Sequence, residues 1–259
     1  MPELPEVETV VRALEDRLKG SVIDHVDVRY DKLTDQMSAR EFEMCLPGQT
    51  LNSFDRRGKY ILIGLDDYTW VSHMRMEGKF YVCTDDSLID KHTHMIMYLK
   101  DGRMILYHDT RKFGRMELYN KGDFPSVLSG LGPEPFDERL SESYLKQRGG
   151  HRKLKEVLLD QSVIAGIGNI YANEICFAIS RRPSARFDTL TKAQRISLIR
   201  ETRRILAQAI KAGGTTIRSY TSQLGVTGRF QMDLMVHGRQ GQACRICGSP
   251  IKKVQLAGR

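Results

Sequence analysis

The sequence predicts an α+β protein of more than one domain: an antiparallel β-sandwich carrying an N-terminal helix, then a helical domain, then a short tail with β-like pieces. Three observations predict this class. Seven short alternating stretches crowd residues 22–119 behind a single amphipathic helix. From 141 to 214 the apolar residues recur with helical spacing. Between the two lies a Gly- and Pro-rich stretch, and the charge changes sign just after it. A chain of 259 residues with 41% hydrophobic content is globular and long enough for more than one core.

The elements follow in order. Residues 5–19 read as a helix, with Val7, Val10, Val11, Leu14 and Leu18 on one face and Gly20 suited to its C-terminal cap. Strand patterns follow at 22–30, 60–65, 69–74, 79–83, 94–99, 104–107 and 115–119. Asp66-Asp67 and Asp101-Gly102 read as hairpin turns. Gly122, Pro125, Gly130, Gly132, Pro133 and Pro135 mark a linker. The longest helix is expected at about 191–212, ended by Gly213-Gly214. The expected domains are 1–119, a linker at 120–137, a helical domain at 138–225, and a tail at 226–259.

Charge narrows the function. The net charge is +8, but residues 1–138 carry 18 Lys+Arg against 25 Asp+Glu, a net of −7. Residues 139–259 carry 22 against 7, a net of +15. Such a basic half points to a polyanion, nucleic acid before all others, over a merely solvated face. No apolar run approaches the roughly 18 residues of a membrane span, and the acidic, mixed N-terminus is no secretory signal, so a cytoplasmic protein is expected. Five cysteines, an odd number, do not read as a disulfide framework. Cys45, Cys83 and Cys176 are expected in the core.

Several residues carry chemistry. Once Met1 is removed, Pro2 presents a free secondary amine that can attack an electrophilic carbon and form an iminium adduct. Its neighbour Glu3 offers a carboxyl group for proton transfer. A proline near a helix start is equally at home there for conformational reasons, and both readings stand on these residues alone. Gly166-Ile167-Gly168-Asn169 lies between helical patterns, where glycines and a helix N-terminus suit a phosphate, or where a plain turn would also fit. Phe113, in Asp109-Thr110-Arg111-Lys112-Phe113-Gly114-Arg115, has the form of a wedge for a base stack, as has Met76. Either could equally be a core residue. Cys244-Arg245-Ile246-Cys247 has the spacing of a zinc knuckle, but two thiolates are half of a tetrahedral structural site.

Together these residues resemble bacterial formamidopyrimidine-DNA glycosylase. The resemblance runs the whole length of the chain. Its most specific motif is the stretch from Pro2-Glu3-Leu4-Pro5-Glu6 to Val10. Also matching are Arg57-Gly58-Lys59-Tyr60, Leu131-Gly132-Pro133-Glu134-Pro135, and the stretch from Gly166 to Glu174. Gly213-Gly214-Thr215-Thr216 and Gly238-Arg239-Gln240-Gly241 complete the set. The related endonuclease VIII branch usually has Gly where this chain has Leu4, which favours the oxidised-purine branch.

The resemblance implies a catalytic β-sandwich with the first helix, a helix–two-turn–helix domain at 138–225, and a zinc-finger hairpin at 226–259. It implies a monomeric base-excision repair enzyme, cytoplasmic and nucleoid-associated, acting on double-stranded DNA with oxidised purines or abasic sites. Pro2 would attack C1′, Glu3 would serve as acid and base, and Lys59 would contact the lesion or its phosphate and assist proton transfer. β- and δ-elimination would follow. Met76, Arg111 and Phe113 would fill the void left by the extruded base. His92, Arg111, Asn169 and, across a local gap, Arg152 would contact DNA. The loop at 217–231 would close over the base, and Arg259 would grip phosphates flanking the lesion.

The same resemblance implies one zinc ion held by four cysteines, of which this sequence has Cys244 and Cys247 only. The expectation is a truncated finger with weak zinc binding and reduced DNA affinity or incision. His237 stands where the family often has Tyr. Two alternatives are weighed against a working glycosylase: a catalytically impaired protein that binds lesion DNA, and an enzyme using an N-terminal proline on small carbonyl compounds. The basic second half argues against the latter.

Overall fold

A computed structural model describes residues 1–34, 36–215, 230–256 and 258. The chain forms two compact units. The first comprises Met1–Pro2 and Glu6–Ser129; the second contains Glu3–Pro5, Gly130–Thr215 and the described residues from Phe230 onward.

Helix α1 (Leu4–Leu18) opens the chain, one residue off the expected bounds. Its Val7, Val10, Val11, Leu14 and Leu18 are buried in the core of the first unit. Among the described residues, eight strands form two four-stranded antiparallel sheets. One holds β1 (Ile23–Val28), β6 (Thr93–Leu99), β7 (Met104–His108) and β5 (Lys79–Cys83), in that order. The other holds β2 (Ser53–Arg57), β3 (Tyr60–Gly64), β4 (Tyr68–His73) and β8 (Arg115–Asn120). One cluster joins Val26, Met95, Met97, Ile105 and Tyr107 of the first sheet to Ile61, Ile63, Trp70 and Leu118 of the second. The faces therefore pack as a sandwich, inward residues alternating along each strand. Ile96, Met104 and Leu106, the opposite alternation, make a second small cluster on the outer face of the first sheet.

Two elements go beyond the sequence reading. Strand β2 has one buried apolar residue, Phe54, among Ser53, Asp55, Arg56 and Arg57. It is an edge strand, and charged side chains on an edge are compatible with pairing on one side only. Helix α2 (Ala39–Cys45) starts at a capping box: Ser38 Oγ accepts from Glu41 N, and Glu41 accepts from Ser38 N. The hairpin turns fall where expected, between β3 and β4 and between β6 and β7. Gly102 takes φ +85°, open only to residues tolerant of the left-handed region.

The second unit packs α3 (Glu142–Gly149), α4 (Leu154–Leu159), α5 (Asn169–Ala178) and α6 (Lys192–Lys211). Leu145, Leu154, Leu158, Tyr171, Ile175 and Leu206 are fully buried. Thr191 and Gln194 form the capping box of α6. Arg195 of α6 donates to Glu142 of α3 at 2.6 Å, a shielded pair. Gly213 and Gly214, at φ +77° and +78°, donate to Ile210 O and Ala209 O and end α6. In the tail, Ala243 bridges Pro250, and Cys244 N donates to Ser249 O at 2.8 Å. Among the described residues no helix is long and apolar enough to cross a membrane.

Candidate active site

The N-terminal residues are positioned by burial. Pro2 and Glu3 are buried, Glu3 to 2% exposure. Within the second unit the Glu3 carboxylate accepts from Gly168 N at 2.7 Å, Ile170 N at 2.8 Å and Tyr171 N at 3.4 Å. Leu4 N donates to Gly166 O at 3.0 Å. The first N–H groups of α5 lack intrahelical acceptors and lie at the positive end of the helix dipole, so they suit an anion. Gly168 is the N-cap of α5, and no side-chain bond of its own caps the helix. The capping carboxylate therefore comes from Glu3, 165 residues earlier in the chain.

Two glycines make room for this. A methyl group on Gly168 would lie 2.4 Å from Glu3 Cδ. One on Gly166, already at φ +95°, would lie 2.6 Å from Leu4 Cδ1. The Gly166-Ile167-Gly168-Asn169 motif is thus shaped around Glu3 and Leu4. Asn169 is the first residue of α5 and does not cap it; its Oδ1 has no hydrogen-bond partner among the described residues.

In the first unit, Lys59 sits with Gly58 in the two-residue turn between β2 and β3, where Arg57 pairs with Tyr60. Gly58 adopts φ +60°, and Arg56 ties the turn down by donating to Gly58 O at 3.0 Å and to Glu8 at 3.0 Å. Lys59 is 6% exposed. Near it lies His73, which stands edge-on to Tyr60 with ring centroids 4.5 Å apart. Burial, then the charges of Arg75 and Lys59, push the His73 imidazole down to about 3. Its Nδ1 accepts from Arg75 N at 2.9 Å, which places the proton of the neutral ring on Nε2.

Two loops carry the candidate wedges. The loop at 74–78 is closed by Gly78 N donating to Met74 O at 3.0 Å, with Arg75 at φ +52°. It exposes Met76. The loop at 109–114 is organised by Asp109, fully buried, whose carboxylate accepts from Arg111 N at 2.9 Å, Phe113 N at 2.9 Å and Gly114 N at 2.8 Å. It exposes Phe113, over whose ring the Arg111 guanidinium lies at 4.7 Å. His92 sits beside this loop's root: Asp109 N donates to His92 O at 2.9 Å. The His92 ring meets His108 edge-on, and His92 N donates to Asp90.

The remaining residues lie in the second unit. The Arg152 guanidinium spans Asp160, Gly149 O and Arg148 O. Glu174, on α5 and 5% exposed, accepts from the backbone N–H groups of Met235 at 2.8 Å, Val236 at 3.0 Å and His237 at 2.8 Å. The His237 ring meets Asn173 at 3.0 Å. Sequence reasoning missed Glu174 and Asp109 as organisers. Both are acids placed near glycine-rich turns, and nothing local in the sequence announces their distant or multiple acceptor roles. Arg259 and residues 216–229 of the expected closing loop lie outside the described residues.

The tail tests zinc. Cys244 Sγ accepts from Ile246 N at 3.5 Å and Cys244 O from Gly248 N at 2.9 Å, a closed knuckle. Cys247 is exposed, and hydrogen bonds from Ser249 hold its thiol below the usual range. Among the described residues no group of three or more His, Cys, Asp or Glu is placed to hold a metal. Cys176 is buried in α5, its thiol pushed up to about 12 by burial, while Cys45 and Cys83 are half-buried in the first unit. The described residues do not fit a complete four-thiolate zinc site.

A proline at position 2, a caged glutamate beside it, a β-sandwich whose loops expose Met76 and Phe113, and a basic helical unit are together the features of a bifunctional DNA glycosylase of base-excision repair. Comparison with known proteins narrows the class. The family described as formamidopyrimidine-DNA glycosylase N-terminal domain matches residues 1–116, and its H2TH domain matches residues 131–221. The chain is 44% identical to the formamidopyrimidine-DNA glycosylase of Bacillus licheniformis and 42% identical to that of Bacillus cereus. Each alignment covers 100% of this chain and 96% of the relative. A Lactococcus lactis Fpg mutant in complex with Fapy-dG-containing DNA superposes with a TM-score of 0.92 at 38% identity, over 100% of this chain and 96% of that one. Lactococcus lactis Fpg with abasic-site DNA gives 0.92 at 36% identity, over 99% of this chain and 96% of that one. The chain belongs to the formamidopyrimidine-DNA glycosylase family.

Proposed function

We propose that this chain excises oxidised purines, 8-oxoguanine and formamidopyrimidines, from double-stranded DNA and then cuts the strand, with Pro2 as nucleophile. The observation that carries the reading is the Glu3 carboxylate, covalently next to Pro2 and fixed by three backbone N–H groups. Catalysis requires removal of Met1, because the Pro2 nitrogen is otherwise an amide without a basic lone pair. The freed amine attacks C1′ of the damaged nucleotide. The glycosidic bond breaks, and the base leaves with a proton. Glu3 serves as acid and base around the sugar, which opens as the iminium forms. The iminium acidifies the C2′ proton, so loss of that proton expels the 3′ phosphate. A second elimination expels the 5′ phosphate.

In this reading Lys59 contacts the lesion or its phosphate and assists proton transfer. Met76, Arg111 and Phe113 fill the vacated stack, and their exposure supports that role. His92, Arg152, Asn169 and Arg259 contact the DNA backbone. Asn169, part-exposed in the first turn of α5, could offer its side-chain Nδ2 to a phosphate at that helix end. Cys244 and Cys247 supply two of the four thiolates of the family's zinc. The place of work is the cytoplasm, on nucleoid DNA, and the protein acts as a monomer. A second reading, a lesion binder without catalysis, draws only on the described residues grouping no three metal-ligating side chains.

Borohydride trapping on an 8-oxoguanine duplex tests the proposal. A covalent protein–DNA band that maps to the N-terminal peptide is expected. Lesion binding with no trapped band would leave the binder in its place.

A further inference from the structure

Tyr107 lies near the end of β7, its ring in the sandwich core against Phe80 at 5.1 Å between centroids. It is fully buried, and its hydroxyl has no hydrogen-bond partner among the described residues. The hydroxyl presses instead on two glycines. A methyl group on Gly78 would lie 2.2 Å from the Tyr107 Oη, and one on Gly114 would lie 1.7 Å from it. No real side chain tolerates such distances, so Gly78 and Gly114 are the residues that let both backbones reach this one atom. Gly78 closes the loop that exposes Met76, and Gly114 closes the loop that exposes Phe113 and Arg111. Two residues further along, Asp109 holds the second loop by three N–H groups.

We infer that Tyr107 is a positioning residue: its hydroxyl is a spacer that fixes the gap between the 74–78 and 109–114 loops, so that Met76, Arg111 and Phe113 enter DNA as one rigid unit. The inference rests on the reading of those three side chains as void-fillers. A tyrosine kept only for packing would gain from losing a buried hydroxyl that has no partner among the described residues, because phenylalanine fills the same core without that donor. Burial raises the hydroxyl well above the ordinary tyrosine range, so the spacer stays neutral. Rigid placement matters because a displacement of about 1 Å can cost about a hundredfold in rate at a reacting group, and side chains that hold the damaged nucleotide out of the stack help to place that group.

Stopped-flow fluorescence of 2-aminopurine beside 8-oxoguanine in a duplex follows base extrusion, and the melting temperature of each variant follows the fold. Tyr107→Phe is expected to slow extrusion about tenfold with the melting temperature unchanged or raised. Gly114→Ala is expected to slow it further. Met76→Ala and Phe113→Ala should slow the same step. If these two slow extrusion while Tyr107→Phe extrudes at the parental rate, the spacer is rejected and the void-filling reading stands. If these two extrude at the parental rate, the void-filling reading fails and the spacer with it. Slowing in Tyr107→Phe that merely tracks a lowered melting temperature would also overturn the spacer, since packing alone would then account for it.

Discussion

Gly168 donates its backbone N–H to the Glu3 carboxylate at 2.7 Å, and a methyl group on its Cα would stand 2.4 Å from that carboxyl carbon. One residue thus both holds the proposed acid and leaves the space it occupies. Gly168→Ala must displace Glu3, because the competing neighbour is the carboxyl group and not the end of a flexible chain. Excision of 8-oxoguanine should fall about a hundredfold in single-turnover assays. An alanine variant that excises at the parental rate would remove Glu3 placement from the mechanism.

Glu174 gathers three backbone N–H groups, from Met235, Val236 and His237. Glu174→Ala leaves them without their acceptor, at about 3 kcal/mol if water does not replace it. Hydrogen exchange should report the change locally: the three amides should exchange faster, while those of β3 and β4 keep their rates. Unchanged protection at 235–237 would show that other contacts hold this segment.

His73 gives acid sensitivity of a defined sign. Its folded imidazole titrates near 3, against 6.5 when unperturbed, because of burial and the charges of Arg75 and Lys59. The unfolded chain therefore binds the extra proton first. The stabilisation is complete above pH 6.5 and is lost as the pH falls from 6.5 toward 3. Down to pH 4 this amounts to about 3 kcal/mol. His73→Gln, which keeps an acceptor for Arg75 N, should flatten the decline of denaturant stability across that window. A variant as acid-sensitive as the parent would assign the decline to carboxylates instead.

Zinc content can be measured directly. Two thiolates at Cys244 and Cys247 hold a borderline-soft cation poorly compared with four. Metal analysis of the purified 259-residue chain should give well under one zinc per chain. A stoichiometric ion that survives dialysis against a mild chelator would show that other ligands complete the site.

Much of the fold was legible because periodicity is local. The first helix, seven strands and the capped α6 each declare themselves within a few residues. Strand β2 was hidden by the charges its edge position allows, whereas α2 had a readable signal in Ser38 and Glu41. The site divides along the same line. Pro2, Glu3 and the glycine motif could be singled out from residue chemistry, but the capping of α5 by Glu3 could not. That relation spans most of the chain and exists only after folding. Tyr107, an ordinary strand residue in sequence, gains its meaning from two glycines that only the fold brings to it.

Helix α5 also sets a length. Its first N–H groups meet Glu3, and Glu174 meets the segment at 235–237. Between Ile170 and Glu174 the helix makes about one turn, a rise of about 6 Å. A single inserted residue there would swing Glu174 about 100° around the axis and away from its three partners. The stretch between these two anchor points is therefore fixed in phase: it can exchange side chains, but it cannot change its number of residues.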